Sequence, residues 1–138
     1  MALTWNDIKN GWKHWFDFAG RRRARYAAWE KLAEQGSEEA KYRLLMLYRD
    51  AGEEFYPLAF KWTLRVAKEG ADCGVLLQAA QMFEAGHGTK RDEDQALLWF
   101  ERALSLHILR GNKSVLSAGT SNYIQERIQF LRAKLGRE

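Results

Sequence analysis

Cysteine and proline are almost missing from this chain of 138 residues, which holds one of each, Cys73 and Pro57. A single thiol excludes an internal disulfide, so nothing points to an oxidising compartment. It also cannot complete a zinc site, and His14, His87 and His107 stand in no recognisable metal spacing. Neither a metal nor a cofactor is expected. No run approaches the roughly 18 apolar residues of a membrane span, so no transmembrane segment is expected. The opening "MALTWNDIKNGWKHWF" sets Asn6 and Asp7 where a signal peptide needs an unbroken apolar core. The expectation is a soluble, cytoplasmic protein.

Apolar residues make up 46% of the chain and aromatics 13%, which excludes a disordered composition. The net charge of +4 permits an acidic partner without demanding one. Long stretches of Ala, Leu, Glu, Lys, Arg and Gln favour helix, and no alternating strand pattern competes.

Read along the chain, the 3.6-residue period predicts about seven helices in one all-α domain. Residues 4–18 carry Trp5, Ile8, Trp12, Trp15 and Phe16 as an apolar stripe, with Thr4 as the cap and Gly20 as the stop. Residues 21–35 form a second helix, ended by Gly36. Ser37 caps the third, with Glu38 and Glu39 in the first turn, where the helix dipole favours them. Ala40, Leu44, Leu47 and Tyr48 make its buried face. A fourth helix starts near Pro57 and runs to Glu69. Asp72 caps a fifth that runs to Ala85, and Asp92 caps a sixth over residues 93–107. Residues 111–119 read as a loop. A last helix, 121–135, carries Ile124, Ile128, Leu131 and Leu135 on one stripe.

An internal repeat runs through this pattern. "LAFKWTLRVAKEG" (58–70) aligns with "QALLWFERALSLH" (95–107) at an offset of 37 residues. Ala59 matches Ala96, Trp62 matches Trp99, and Ala67 matches Leu104. The segment 27–36 is a weaker copy of the same helix end. Between the copies, Tyr48 of "AKYRLLMLYRDAG" aligns with Phe83 of "LLQAAQMFEAG". Each helix pair exposes an apolar side that it cannot bury alone, so the pairs must stack. Small residues at Ala59, Ala67, Ala96 and Ala103 allow close approach, and Trp62 and Trp99 fill the space between pairs.

"FEAGHGTKRDEDQALLWFERAL" resembles the Sel-1-like repeat, a relative of the tetratricopeptide repeat. The positions that carry the resemblance are Phe83, Gly86, Gly88, Asp92, Ala96, Trp99, Ala103 and Leu104. The copy at 40–70 keeps Ala40, Leu44, Tyr48, Ala59, Trp62, Ala67 and Gly70, but its turn, "RDAGEEFYP", has lost the Gly-x-Gly form. The resemblance implies a short right-handed α-solenoid. Two repeats would span 37–107, capping helices and a degenerate repeat 1–36, and a loop with a capping helix 108–138. Cysteine-rich members of that family are linked to penicillin binding or hydrolysis. This chain lacks their repeated cysteine pairs, so no such activity is carried over.

No catalytic constellation is legible. "GHGTKRD" reads as a turn, since a phosphate loop needs a preceding strand and a Gly-Lys-Ser/Thr ending. His87 reads as a solvated turn residue and Cys73 as a small apolar filler. Glu53, Glu54, Asp92, Glu93 and Asp94 cluster at helix starts, where the dipole explains them. The expectation is a non-catalytic protein–protein interaction module, without enzyme activity. It would be a bacterial adaptor or regulator, or an immunity-type inhibitor that blocks a toxin.

By alignment to the family's variable positions, Tyr42, Arg43, Met46 and Arg49 face the concave wall from one repeat. Leu77, Gln78, Gln81 and Glu84 face it from the next. Arg21, Arg22, Arg23 and Arg25 have two readings: a solvated helix start, or a contact for an acidic protein, nucleic acid or anionic membrane surface. Nucleic acid is the less favoured of these, because no known nucleic-acid module accompanies the run. Trp5, Trp12, Trp15 and Trp29 exceed what the repeat asks for. They read as caps of the stack or as an interface for a partner, a second copy included.

Overall fold

The computed structural model describes residues 24–70 and 72–137. Among these residues the fold is all-helical, with six α-helices, two short 3-10 turns and no strand. The helix expected over 4–18, its tryptophans and Arg21 to Arg23 lie outside the described residues. The chain divides into two compact units, Met1–Leu44 and Leu45–Glu138, and the division falls within one helix.

In the first unit, α1 (24–34) ends in a turn closed by Gly36 N–H donating to the Ala33 carbonyl and Ser37 N–H to that of Leu32. The Ser37 hydroxyl then accepts the Ala40 amide at 3.2 Å, capping α2 (Glu38–Asp50) as its sequence predicts. Glu38 and Glu39 sit in the first turn of α2, and Lys41 and Arg43 reach back to pair with them. Tyr26, Ala33, Ala40 and Leu44 are buried. The Arg43 guanidinium lies 5.0 Å over the Trp29 ring.

The second unit takes up the rest of α2, where Leu45 and Tyr48 are buried and Leu47, expected on that face, is only half-buried. A 3-10 turn (Glu53–Phe55) leads into α3 (Tyr56–Lys68), whose first turn holds Pro57. The Tyr48 and Phe55 rings stack at 5.9 Å across this connection. Asp72 accepts the Val75 amide at 3.1 Å and caps α4 (Cys73–Ala85). Asp92 accepts that of Gln95 at 3.0 Å and caps α5 (Glu93–Arg110). Both caps were legible because an N-cap is a local interaction across three residues.

Two boundaries differ from expectation. The helix α5 runs one turn past His107 to Arg110, and α6 (Ala118–Leu135) starts before residue 121. Its cap is Ser117, whose hydroxyl accepts the Thr120 amide at 3.1 Å. That bond allows Gly119 inside the first turn, where glycine would otherwise count against a helix.

Each helix from α3 to α6 packs on the next in the chain, and the α4–α5 contact is the most extensive. Alanine at Ala59, Ala79, Ala80, Ala96 and Ala103 is fully buried, as close helix approach requires. Trp62 is fully buried and Trp99 is 2% exposed. The two segments that align at an offset of 37 share a local contact. Arg65 lies 4.9 Å over the Trp62 ring, and Arg102, at the same offset of 37, lies 4.7 Å over the Trp99 ring. Each indole thus carries a cation three residues on, one helical turn along the same face. No helix among the described residues is long and apolar enough to cross a membrane.

Candidate functional site

The turn between α4 and α5 is the "GHG" segment, and its geometry builds the site. Gly86 has φ 73° and Gly88 φ 76°, both left-handed. The Asp92 amide donates to the Phe83 carbonyl at 3.0 Å, folding the turn back on α4. A side chain at Gly88 would stand on the Tyr56 carbonyl and 2.9 Å from the Phe60 Cβ. Glycine therefore lets the turn lie directly against the start of α3. That contact carries His87 over Tyr56, with ring centroids 5.1 Å apart.

Beside this stack lies a pocket of about 150 Å3, lined by Arg49, Tyr56, Gln78, Gln81, Met82 and His87. Three of the expected wall residues, Arg49, Gln78 and Gln81, meet here. The Gln78 amide nitrogen is buried and has no hydrogen-bond partner among the described residues. A buried donor left without a partner costs about 1–3 kcal/mol. Arg49 is 45% exposed and pairs with its neighbour Asp50 at 3.3 Å.

The other expected wall residues go elsewhere. Met46 is 49% exposed, and Leu77 is half-buried. Tyr42 and Arg43 belong to the first unit, where Arg43 is engaged by Glu39 and Trp29. Glu84 accepts two hydrogen bonds from Arg127 of α6, at 2.8 and 3.1 Å, so it fastens α6 to α4. Arg25 is exposed on α1. Tyr56, Met82 and His87 were not among the expected partner-contacting residues. Their position depends on the close approach of Gly88 to α3, which no local pattern encodes.

Two further clusters are structural. Glu93 is held by Lys134 at 2.8 Å and Arg91 at 3.2 Å, and Glu101 by Arg132 at 3.1 Å, tying α6 to α5. The hydrogen bond from Lys134 holds the Glu93 carboxyl below its ordinary range, with the Lys134 and Arg91 charges adding to it and desolvation opposing. A lowered folded-state pKa means that its contribution to stability is present above the unfolded value. The contribution fades as pH falls through the folded one. Lys134→Met should therefore raise the Glu93 pKa in a carboxyl NMR titration and flatten the acid limb of the stability curve. An unmoved Glu93 titration would show that Lys134 does not set it.

The second cluster joins the end of α5 to the start of α4. His107 Nδ1 is 2.6 Å from the Ser114 hydroxyl, which lies 3.9 Å from the sulfur of the fully buried Cys73 and accepts the Leu116 amide at 3.3 Å. These bonds pin residues 111–117 onto the helix ends. Among the described residues, no three His, Cys, Asp or Glu side chains gather as a metal would require.

No family model matches the chain, and no curated protein or solved structure is significantly similar to it.

Proposed function

We propose that the chain is a non-catalytic protein-binding module of Sel-1-like, solenoid type, and that the pocket beside the His87–Tyr56 stack seats a partner's side chain. The observation that carries this reading is the buried Gln78 amide nitrogen, which has no partner among the described residues and lies beside a pocket lined by Arg49, Gln81, Tyr56, Met82 and His87. An acceptor from a bound protein would satisfy that donor. Arginine, tyrosine and methionine are the side chains that binding surfaces favour. The solenoid reading is supported by the 37-residue repeat, its two buried tryptophans and the succession of neighbour-to-neighbour helix contacts. Within this class the role is that of an adaptor or regulator, or of an immunity-type inhibitor. Mixing the protein with candidate toxins separates the two.

The test is a photo-crosslinker placed at exposed Gln81, with exposed Gln129 on α6 as the control position, in lysate of the native host. A discrete protein adduct from position 81 alone is the expected result. Arg49→Glu should then weaken that partner about tenfold or more. Turnover of any substrate that disappears with a single side chain would overturn the reading, as would equal crosslinking from both positions.

A further inference from the structure

We propose that the end of the molecule formed by the last turn of α5 and residues 111–117 docks on an anionic lipid surface. Leu109 is 82% exposed, Ile108 69% and Val115 64%, the three most exposed large apolar side chains among the described residues. The first two are consecutive on α5. The third follows Ser114, whose hydroxyl lies 2.6 Å from His107 Nδ1, so the connection folds back toward the last turns of α5. The exposed cations Arg110 and Lys113 flank this group. From Arg102 to Gln125 the sequence holds no aspartate or glutamate. The packing brings up two carboxylates: Asp72, at the start of α4 behind Ser114, which accepts the Val75 amide, and Glu101, which lines a groove with Ile108 and is paired with Arg132.

An aliphatic centre among cations suits the headgroup zone of an anionic bilayer. There the side chains enter the acyl boundary while the cations meet phosphates and carboxylates. A nucleic acid would satisfy the cations but offer Leu109, Ile108 and Val115 nothing. The surface lies on the end of α5, apart from the residues that line the Gln78 pocket, so membrane docking and partner binding are separable.

The test uses the full chain with Asn112→Cys, labelled with a polarity-sensitive dye. The native thiol, Cys73, is fully buried and does not compete for label. Phosphatidylcholine vesicles rich in phosphatidylserine should shift the dye to the blue, and pure phosphatidylcholine vesicles should not. Added salt should weaken the effect. Leu109→Asp should reduce vesicle partitioning roughly tenfold, and the pair Arg110→Glu and Lys113→Glu by a similar factor. Both variants should keep the parent's circular dichroism, since these side chains are exposed. Absence of vesicle binding by the parent would overturn the proposal, and so would binding that the variants leave unchanged. A concentration-dependent dimer abolished by Leu109→Asp, with no vesicle partitioning, would assign the patch to a second copy of the chain instead.

Discussion

Gly88→Ala is expected to destabilise the protein by about 3 kcal/mol, lowering Tm by roughly 10 °C. Two costs combine at this position. The backbone φ of 76° is one that an L side chain resists, and the added methyl would collide with the Tyr56 carbonyl and the Phe60 Cβ. The second cost cannot be relieved by a rotamer change, because the obstacle is backbone. Gly70→Ala separates the two terms. Its φ of 88° is equally left-handed, but nothing lies within 4 Å of the added carbon. That control should lose only about 1 kcal/mol. Equal losses in the two variants, measured by denaturant unfolding, would show that the turn does not press on α3. In Gly88→Ala the His87–Tyr56 stack should also loosen, so any partner seated beside it should be lost before the fold is.

Trp62→Ala and Trp99→Ala are each expected to cost about 4 kcal/mol, enough to leave little of a typical domain's stability. Both rings are buried, both sit under an arginine one turn along, and both indole nitrogens lack a hydrogen-bond partner among the described residues. Matched burial and matched arginines should give similar losses, within about 1 kcal/mol of each other, although Lys61 also lies 5.4 Å over the Trp62 ring. Replacement by phenylalanine should be far milder, because it removes the unpaired N–H together with part of the ring. A large loss at one tryptophan and a small loss at the other would count against reading the two aligned segments as copies of one unit. Thermal and denaturant unfolding, followed by circular dichroism rather than tryptophan fluorescence, makes the comparison.

Trp62 and Trp99 were legible as core because a bulky residue recurring beside alanines one repeat apart has few other uses. Ser37, Asp72 and Asp92 were legible as caps because the bond each makes spans three residues. The start of α6 was not, since Gly111 and Gly119 argue for a loop and only the Ser117 hydroxyl argues against it. Leu45 and Leu47 could not be told apart by periodicity alone, and burial falls on Leu45.

The pocket was half legible. Arg49, Gln78 and Gln81 come from alignment to the variable positions of the family that the chain resembles, whereas Tyr56 and His87 depend on two segments meeting at Gly88. The same alignment sets Glu84 on the wall. Its partner, Arg127, lies 43 positions away on a helix that no repeat pattern places.

The contacts that close the molecule at its C-terminal end set the order in which it comes apart. The helix α4 is buried along much of its length by Cys73, Val75, Leu76, Ala79, Ala80, Met82 and Phe83. The longer α6 buries only Ser121, Ile124, Ile128 and Leu131, and is further fastened by the Tyr123 ring edge-on to Phe100 and by ion pairs at its rim. Such pairs weaken in salt, and apolar burial does not. Backbone amides of α6 should therefore exchange with solvent through a partial opening that leaves α4 and α5 protected. Raising the ionic strength should widen the gap between the two exchange rates. The expected order is thus α6 first, because charge rather than apolar burial supplies much of its hold on α4 and α5.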